Sequence, residues 1–310
     1  MRYLLSLVVC FGLSVAAIAE EQKAVLVTGA SSGIGLNITE HLVDAGYYVY
    51  ATARKDADLE RLDAMDNVTA VKLDVTVQAQ IDAAAEFVES EGRGLWGVVN
   101  NAGVARIGRM SEISADDIAW IHDINVLGPH RVNLAFLPML KESGGRTVAI
   151  SSINGFVTGA TAGAYSMSKF AVESYTEALA DDLAEAGVSV GVVNPGAYKS
   201  KIREKVGFDL ATGSQDTTQE LTDEQKQVVK NLTDANEGLK EPDEVSEAVL
   251  HFMGSDTPRL RYLVAPTEES AHMAVRVALR RVLTLNGDQP YEFTRDELVA
   301  ALDELLKESQ

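Results

Sequence analysis

The sequence predicts an α/β fold: a doubly wound parallel sheet of about seven strands, helices on both its faces, and a helical C-terminal extension. Two observations carry this. Short apolar, β-branched runs alternate with helix-length runs along most of the chain, the order that builds βαβ units. A glycine-rich turn, Gly29-x-x-x-Gly33-x-Gly35, also sits between the first strand and the first helix.

The elements follow in order. Residues 24–28 form an apolar strand, and the helical run after the glycine turn ends before Gly46. Then come a strand at 47–52, a helix at 56–65, a strand at 68–73, a helix at 78–91 and a strand at 95–99. Residues 116–141 read as one long helical stretch, followed by a strand containing Thr147, Val148 and Ile150. A helix carrying Tyr165 runs to about 186, and a strand at 188–193 ends in Asn194-Pro195-Gly196. From 201 to 241 the chain turns polar, with short helical pieces around 220–232, the mark of a substrate loop or lid. Pro242 stands early in a helix to about 252, and 261–265 is the last strand. Residues 268–310 form the extension: a helix at 268–283 and another opened by Thr294, with Asp296 and Glu297 at its positive end.

At 310 residues and 46% hydrophobic, the chain can bury one large core, so residues 20–310 are expected to form a single domain. A net charge of -19 argues against nucleic acid and anionic lipid as partners. Cys10 is the one cysteine, so no disulfide closes within the chain. The five histidines show no metal-ligand spacing, and no metal site is expected. Residues 1–19 stand apart. Arg2 precedes an apolar run, and Ala17-Ile18-Ala19 has the small-x-small form of a cleavage site. A cleaved signal peptide or an N-terminal membrane anchor is expected, with the rest of the chain exported to a periplasm, the exterior or the ER lumen; a cytoplasmic location stays open.

Three groups carry chemistry. The glycines let backbone approach a diphosphate at a helix N-terminus. Tyr165 and Lys169 are four apart and share a helix face, so the ammonium is expected to lower the phenol's pKa. Ser152, at a strand end, can hydrogen-bond the same substrate oxygen.

Together these motifs resemble the short-chain dehydrogenase/reductase family. The resemblance runs through Thr28-Gly29-Ala30-Ser31-Ser32-Gly33-Ile34-Gly35, Asn100-Asn101-Ala102-Gly103, Asn125, Ser152, Tyr165, Lys169 and Asn194-Pro195-Gly196, over residues 23–200. It implies a Rossmann-like, NAD(P)-binding fold and reversible hydride transfer between the nicotinamide and an alcohol or carbonyl. Tyr165 would be the general acid/base, and Lys169 would tune it and hold the nicotinamide ribose. Ser152 would orient the substrate, and Asn125 would hold a water leading to Lys169. The cofactor set implied is Thr28, Gly29, Ser31, Ser32, Gly33, Ile34, Gly35, Arg54, Asp74, Asn101, Ala102, Gly103, Tyr165, Lys169, Pro195, Gly196 and Ser200. Asp74 is expected at the adenine, and Ser200 replaces a usual threonine. The family also implies a homodimer or homotetramer through the helices around 116–141 and 162–186.

The second strand ends without a carboxylate, and Arg54 there offers a fork for a 2′-phosphate, which favours NADP over NAD. Phe156, Val157, Tyr198 and Phe208 are expected to border the substrate, pointing to a lipophilic secondary alcohol or ketone. The alternative is a non-catalytic dinucleotide sensor on the same fold.

Overall fold

The computed structural model describes residues 22–212 and 220–308. Residues 1–19, including the expected signal or anchor and Cys10, lie outside them. Among the described residues no helix is long and apolar enough to cross a membrane.

Seven apolar runs pair in parallel: β1 (Ala24–Val27), β2 (Tyr48–Ala53), β3 (Val68–Lys72), β4 (Gly97–Asn100), β5 (Arg146–Ile150), β6 (Ser189–Pro195) and β7 (Arg261–Val264). Their spatial order is β3-β2-β1-β4-β5-β6-β7. Every residue of β1 is buried because both sheet faces are covered. Val25 and Val27 point into one core with Ile38, Val245 and Phe252, while Ala24 and Leu26 point into another with Ile81, Phe136 and Leu140.

The first core is closed by α1 (Gly33–Asp44) and α9 (Asp243–Gly254), the second by α3 (Gln78–Ser90) and α5 (Gly128–Ser143). At the β3 end lies α2 (Asp56–Asp63), and α6 (Gly163–Leu183) covers β5 and β6. Helix α1 stops at Gly46, whose φ of 88° lies in the left-handed region.

The expected long helix over 116–141 is two helices joined by a wide turn. Helix α4 (Ala115–His122) passes through a π turn (Asp123–Leu127) into α5. Pro129 has no N–H to give the Asn125 carbonyl four residues back, so the α ladder cannot run through unbroken. The segment after β6 is also more ordered than expected: α7 (Lys201–Thr212) and α8 (Asp223–Glu237) pack on each other. A Cβ at Gly207 would lie 3.0 Å from Leu232 Cβ, so close approach needs glycine there. Thr222 and Gln225 close a reciprocal capping box that starts α8.

The chain ends in α10 (Glu268–Asn286) and α11 (Arg295–Glu308), longer than expected at the first and close to expectation at the second. Only Ala274 of α10 is buried, and none of α11.

Candidate active site

All seven strands run the same way, so their carboxyl ends gather on one side of the sheet. Strand order reverses between β1 and β4, which opens a crevice there. The crevice has a volume of about 620 Å³. Gly29, Ser31, Ser32, Gly33, Ile34, Gly35, Arg54, Asp74, Asn101, Ala102, Gly103, Ser152, Tyr165, Lys169, Pro195, Gly196 and Ser200 all line it.

Two expected site residues do not reach it. Thr28 is 1% exposed; its Oγ1 accepts from the N–H groups of Asn101 (2.9 Å) and Ala102 (3.0 Å) and donates to the Val99 carbonyl (3.3 Å). It clamps β1 to the end of β4. Asn125 is 2% exposed and commits both ends of its amide to protein: Nδ2 donates to Val104 O and Ser168 Oγ, each at 2.9 Å, and Oδ1 accepts from Val104 N at 2.8 Å. Its side chain therefore fastens the loop after β4 to the catalytic helix.

The glycine loop fits a diphosphate on its own geometry. Gly29 and Gly33 have φ of 65° and 56°, and a Cβ at Gly35 would collide with the Gly29 carbonyl and the Asn101 amide. Ser32, the N-cap of α1, makes no capping bond with its side chain, and the first turn carries no acid. The positive helix end is thus left open toward the crevice.

At the far end of that loop Arg54 lies 3.4 Å from Asp74. Burial alone would raise the Asp74 pKa, but hydrogen bonds from Thr76 and the Arg54 charge outweigh it and hold the carboxyl below its usual range. Lys205, on α7, faces the same spot and was not singled out from sequence. Burial lowers its pKa, and the positive charges of Arg54 and Lys55 add to that. Three cations thus meet where the sequence led us to expect only one.

At the other end, α6 begins with Tyr165 half-buried and Lys169 only 6% exposed. Lys169 Nζ donates to the Ile150 carbonyl at 2.8 Å and sits 5.7 Å from the Tyr165 ring centre. The expectation of a phenol pulled down by Lys169 is corrected. Burial dominates and raises the Tyr165 pKa, while a hydrogen bond with Ser152 and the Arg203 charge pull the other way. Lys169 bears the complementary cost: burial lowers it to about 8, and Glu173 pushes back up.

The substrate end also differs from expectation. Tyr198 does line the crevice as expected, but it is 1% exposed and donates its hydroxyl to Glu244, so most of its ring serves packing. Phe156 lies under the Arg261 guanidinium, 5.3 Å from ring centre to charge. Neither Phe156, Val157 nor Phe208 lines the crevice; the apolar wall comes instead from Ile107, Ile153, Ile202, Val206, Leu210, Leu232 and Leu239. Much of that wall belongs to α7 and α8. Their polar sequence hid it, because only one side of each helix is apolar. Arg106, after β4, pins α7 in place through ion pairs to Asp209 and, at 3.4 Å, to Asp117 of α4. Among the described residues no group of acidic, histidine or cysteine side chains is placed to hold a metal ion.

A family model described as short chain dehydrogenase matches residues 23–210. An uncharacterized oxidoreductase of Escherichia coli (strain K12) is 32% identical over 264 residues, spanning 84% of this chain and 93% of that protein. A mitochondrial D-beta-hydroxybutyrate dehydrogenase of Mus musculus is 30% identical over 266 residues, 79% of this chain and 77% of that protein. Retinol dehydrogenase 7 of Mus musculus is 31% identical over 257 residues, 78% of this chain and 80% of that protein. Among solved structures, a short-chain dehydrogenase from Streptomyces avermitilis has a TM-score of 0.67 at 29% identity, covering 94% of this chain and 98% of its own. Two others share the fold at 24% identity. One, from Burkholderia phymatum, is in complex with NAD (TM-score 0.71; 88% of this chain, 99% of its own). The second, from Burkholderia cenocepacia, is in complex with NADP (TM-score 0.64; 87% and 99%).

Proposed function

The chain belongs to the short-chain dehydrogenase family and is an oxidoreductase acting on alcohol and carbonyl groups with a nicotinamide cofactor; from that premise we propose that it uses NADP and reduces a lipophilic ketone to a secondary alcohol. The observation that carries the proposal is the convergence of Ser152, Tyr165 and Lys169 on a crevice whose other end is a glycine loop.

In this reading the diphosphate rests on residues 29–35 and the α1 N-terminus. Asn101, Ala102 and Gly103 flank the adenosine ribose, with Asp74 at the adenine. Pro195, Gly196 and Ser200 border the nicotinamide. Arg54, with Lys55 and Lys205 beside it, meets the 2′-phosphate; the mutual repulsion of these cations, only partly offset by Asp74, Asp58 and Glu204, favours an added dianion there. When bound, the reduced cofactor supplies the hydride. Ser152 orients the carbonyl oxygen, and Tyr165 gives it a proton. A phenol raised by burial is neutral at physiological pH, so it is poised as a donor, which is the direction of reduction. Lys169 stabilises the phenolate left behind and holds the nicotinamide ribose. The Asn125 side chain locks the loop after β4 against α6, and in this scheme it is the Asn125 main-chain carbonyl that faces a water leading to Lys169.

The apolar wall supports a lipophilic substrate. Arg203 supports a second reading. It lines the crevice, its charge reaches Tyr165, and it has no ion-pair partner among the described residues. A free cation beside the reacting hydroxyl would suit a carboxylate on the substrate, and one relative is named for a hydroxy acid. NADPH oxidation against alkyl ketones, matched oxo acids and their esters tests both readings. Faster turnover of the acids, lost in Arg203→Gln, selects the second. Dinucleotide binding with no turnover of any of them would leave the sensor reading.

We also propose that residues 20–310 act as one domain with 201–241 as its substrate lid. The homodimer or homotetramer forms through α5 and α6, whose outer groove carries Leu134 at 57% exposure beside Tyr175. Residues 1–19 direct export or anchoring; sequencing the native N-terminus tests that.

A further inference from the structure

Tyr165, Lys169 and Glu173 recur every fourth residue and share one face of α6. The function above uses the first two. Glu173 is a carboxylate 6% exposed, and a buried carboxylate is tolerated only with partners. It has two. Asn194 Nδ2, at the end of β6, donates to Oε1 at 2.6 Å, and Arg261 Nε, on β7, donates to Oε2 at 3.0 Å. Arg261 also reaches out to Glu177 at 2.8 Å, so its charge is shared with the surface.

Asn194 carries the contact onward. It is fully buried, and its Nδ2 also donates to the main-chain carbonyl of Ser152 at 3.1 Å. The turn after Ser152 closes on the same carboxylate: a Cβ at Gly155 would stand 2.7 Å from Glu173 Oε1. One side chain therefore ties together the end of β5, the end of β6, β7 and the catalytic helix.

On the other side lies the buried Lys169 ammonium. Its one hydrogen-bond partner is the neutral Ile150 carbonyl, and it forms no ion pair among the described residues. Glu173 is the carboxylate whose field reaches it. The remaining charges nearby are Arg203 of α7, acting on Tyr165, and, beyond Glu173, Arg261 with its second carboxylate partner Glu177. The strand ends and the π turn contribute neutral groups from Ile150, Ser152, Asn194 and Asn125.

We propose that Glu173 is a positioning residue for the reaction: its carboxylate keeps Lys169 an ammonium at working pH and, through Asn194, holds the Ser152 main chain against Tyr165. This rests on the Tyr165–Lys169 proton relay proposed above. Burial already brings Lys169 to about 8, so further loss of ammonium falls inside the physiological range.

The test is Glu173→Gln, which keeps an acceptor for Asn194 and removes the charge. Two readouts apply. In the protein without added cofactor, NMR titration of isotopically labelled lysine follows Lys169 directly. With NADPH and a ketone, kcat is measured against pH. Both the Lys169 titration and the alkaline limb of kcat are expected to move down by about one pH unit, with KM little changed. Arg261→Met, which keeps Glu173 and removes a competing cation, is expected to move them upward; it serves as the independent variant if the first folds poorly. A purely structural carboxylate would lower kcat evenly at every pH, and unmoved titrations in both variants overturn the inference. Should the wild-type limb fail to track Lys169, the relay itself falls and this inference with it. Should wild type track while the variants stay put, only the role of Glu173 falls.

Discussion

The floor and the roof of the crevice are built differently. The floor is sheet ends and α6, where Thr28, Asn125, Ser152, Lys169, Glu173 and Asn194 are each no more than 9% exposed. Most of their polar atoms bond neighbouring protein groups: Asn194 Nδ2 donates to Glu173 at 2.6 Å and to the Ser152 carbonyl at 3.1 Å, while its buried Oδ1 has no protein partner among the described residues. The roof is α7 and α8, pinned by Arg106 at Asp209, packed through the half-buried Leu232, and otherwise carrying ion pairs within each helix, such as Lys201–Glu204 and Lys230–Asp234, that solvent reaches. Exposed pairs of that kind contribute little. The contrast teaches a division of labour. Groups that move protons sit where neighbours hold them rigid, and groups that choose a ligand sit where movement is cheap.

Substitutions in the floor should therefore cost chemistry or stability, and those in the roof affinity. Tyr165→Phe should give the largest change, a loss of roughly 10²–10⁴-fold in hydride transfer with cofactor affinity nearly intact. Stopped-flow rates beside fluorescence titration check it, and a near-normal rate would remove the floor's claim to the chemistry.

Lys169 provides a pH test. Its pKa, about 8, lies below the ordinary 10.5. Between those values the unfolded chain holds a proton that the folded chain has shed, so stability should rise with pH across that window and be flat below it. The whole contribution is on the order of 3 kcal/mol. In Lys169→Met that slope should vanish. Denaturant melts of both proteins from pH 7 to 10, compared by difference, check the sign.

Asn125→Ala removes bonds to Val104 and Ser168 and leaves buried partners unmatched, so a loss of about 2–3 kcal/mol is expected in the same melts. Arg54→Gln should leave stability alone and weaken NADP binding roughly tenfold while sparing NAD, read by calorimetry. Equal losses for both cofactors would dissolve the 2′-phosphate assignment. Leu232→Ala, between α7 and α8, should be the mildest: under about 1 kcal/mol in stability, with KM for the carbonyl substrate raised and kcat retained.

The same division explains what could be read from the amino acids alone. The floor's residues are legible because strand–turn–helix punctuation is local: glycines 29, 33 and 35 announce their loop, and a spacing of four puts Tyr165 and Lys169 on one face. Their energetics were not legible. Spacing suggested a phenol lowered by its neighbour, but depth of burial decides, and burial appears only when the chain is folded. Glu173 sits four residues past Lys169 and could have been found by extending that spacing; a lone glutamate on a helix more often faces water, so nothing marked it. The π turn was invisible because a proline at a helix start and a proline interrupting a longer helix look alike in one dimension. The roof was obscured because α7 and α8 bury too few side chains to show a clean period, and contacts such as Arg106 with Asp209 join residues far apart in the chain.

The central strand has a consequence for the growing polypeptide. β1 bonds β2 on one edge, with Val25 opposite Val49, but its other edge waits for β4, with Val25 opposite Gly97. During synthesis, a wholly apolar edge stays open until that later segment emerges, and such an edge invites pairing with another nascent chain. The crevice cannot form before then, and its catalytic lysine cannot be enclosed until β6 arrives later still. Slow translation through the middle of the gene is therefore where aggregation should be worst, and the finished enzyme should gain ligand affinity late and abruptly.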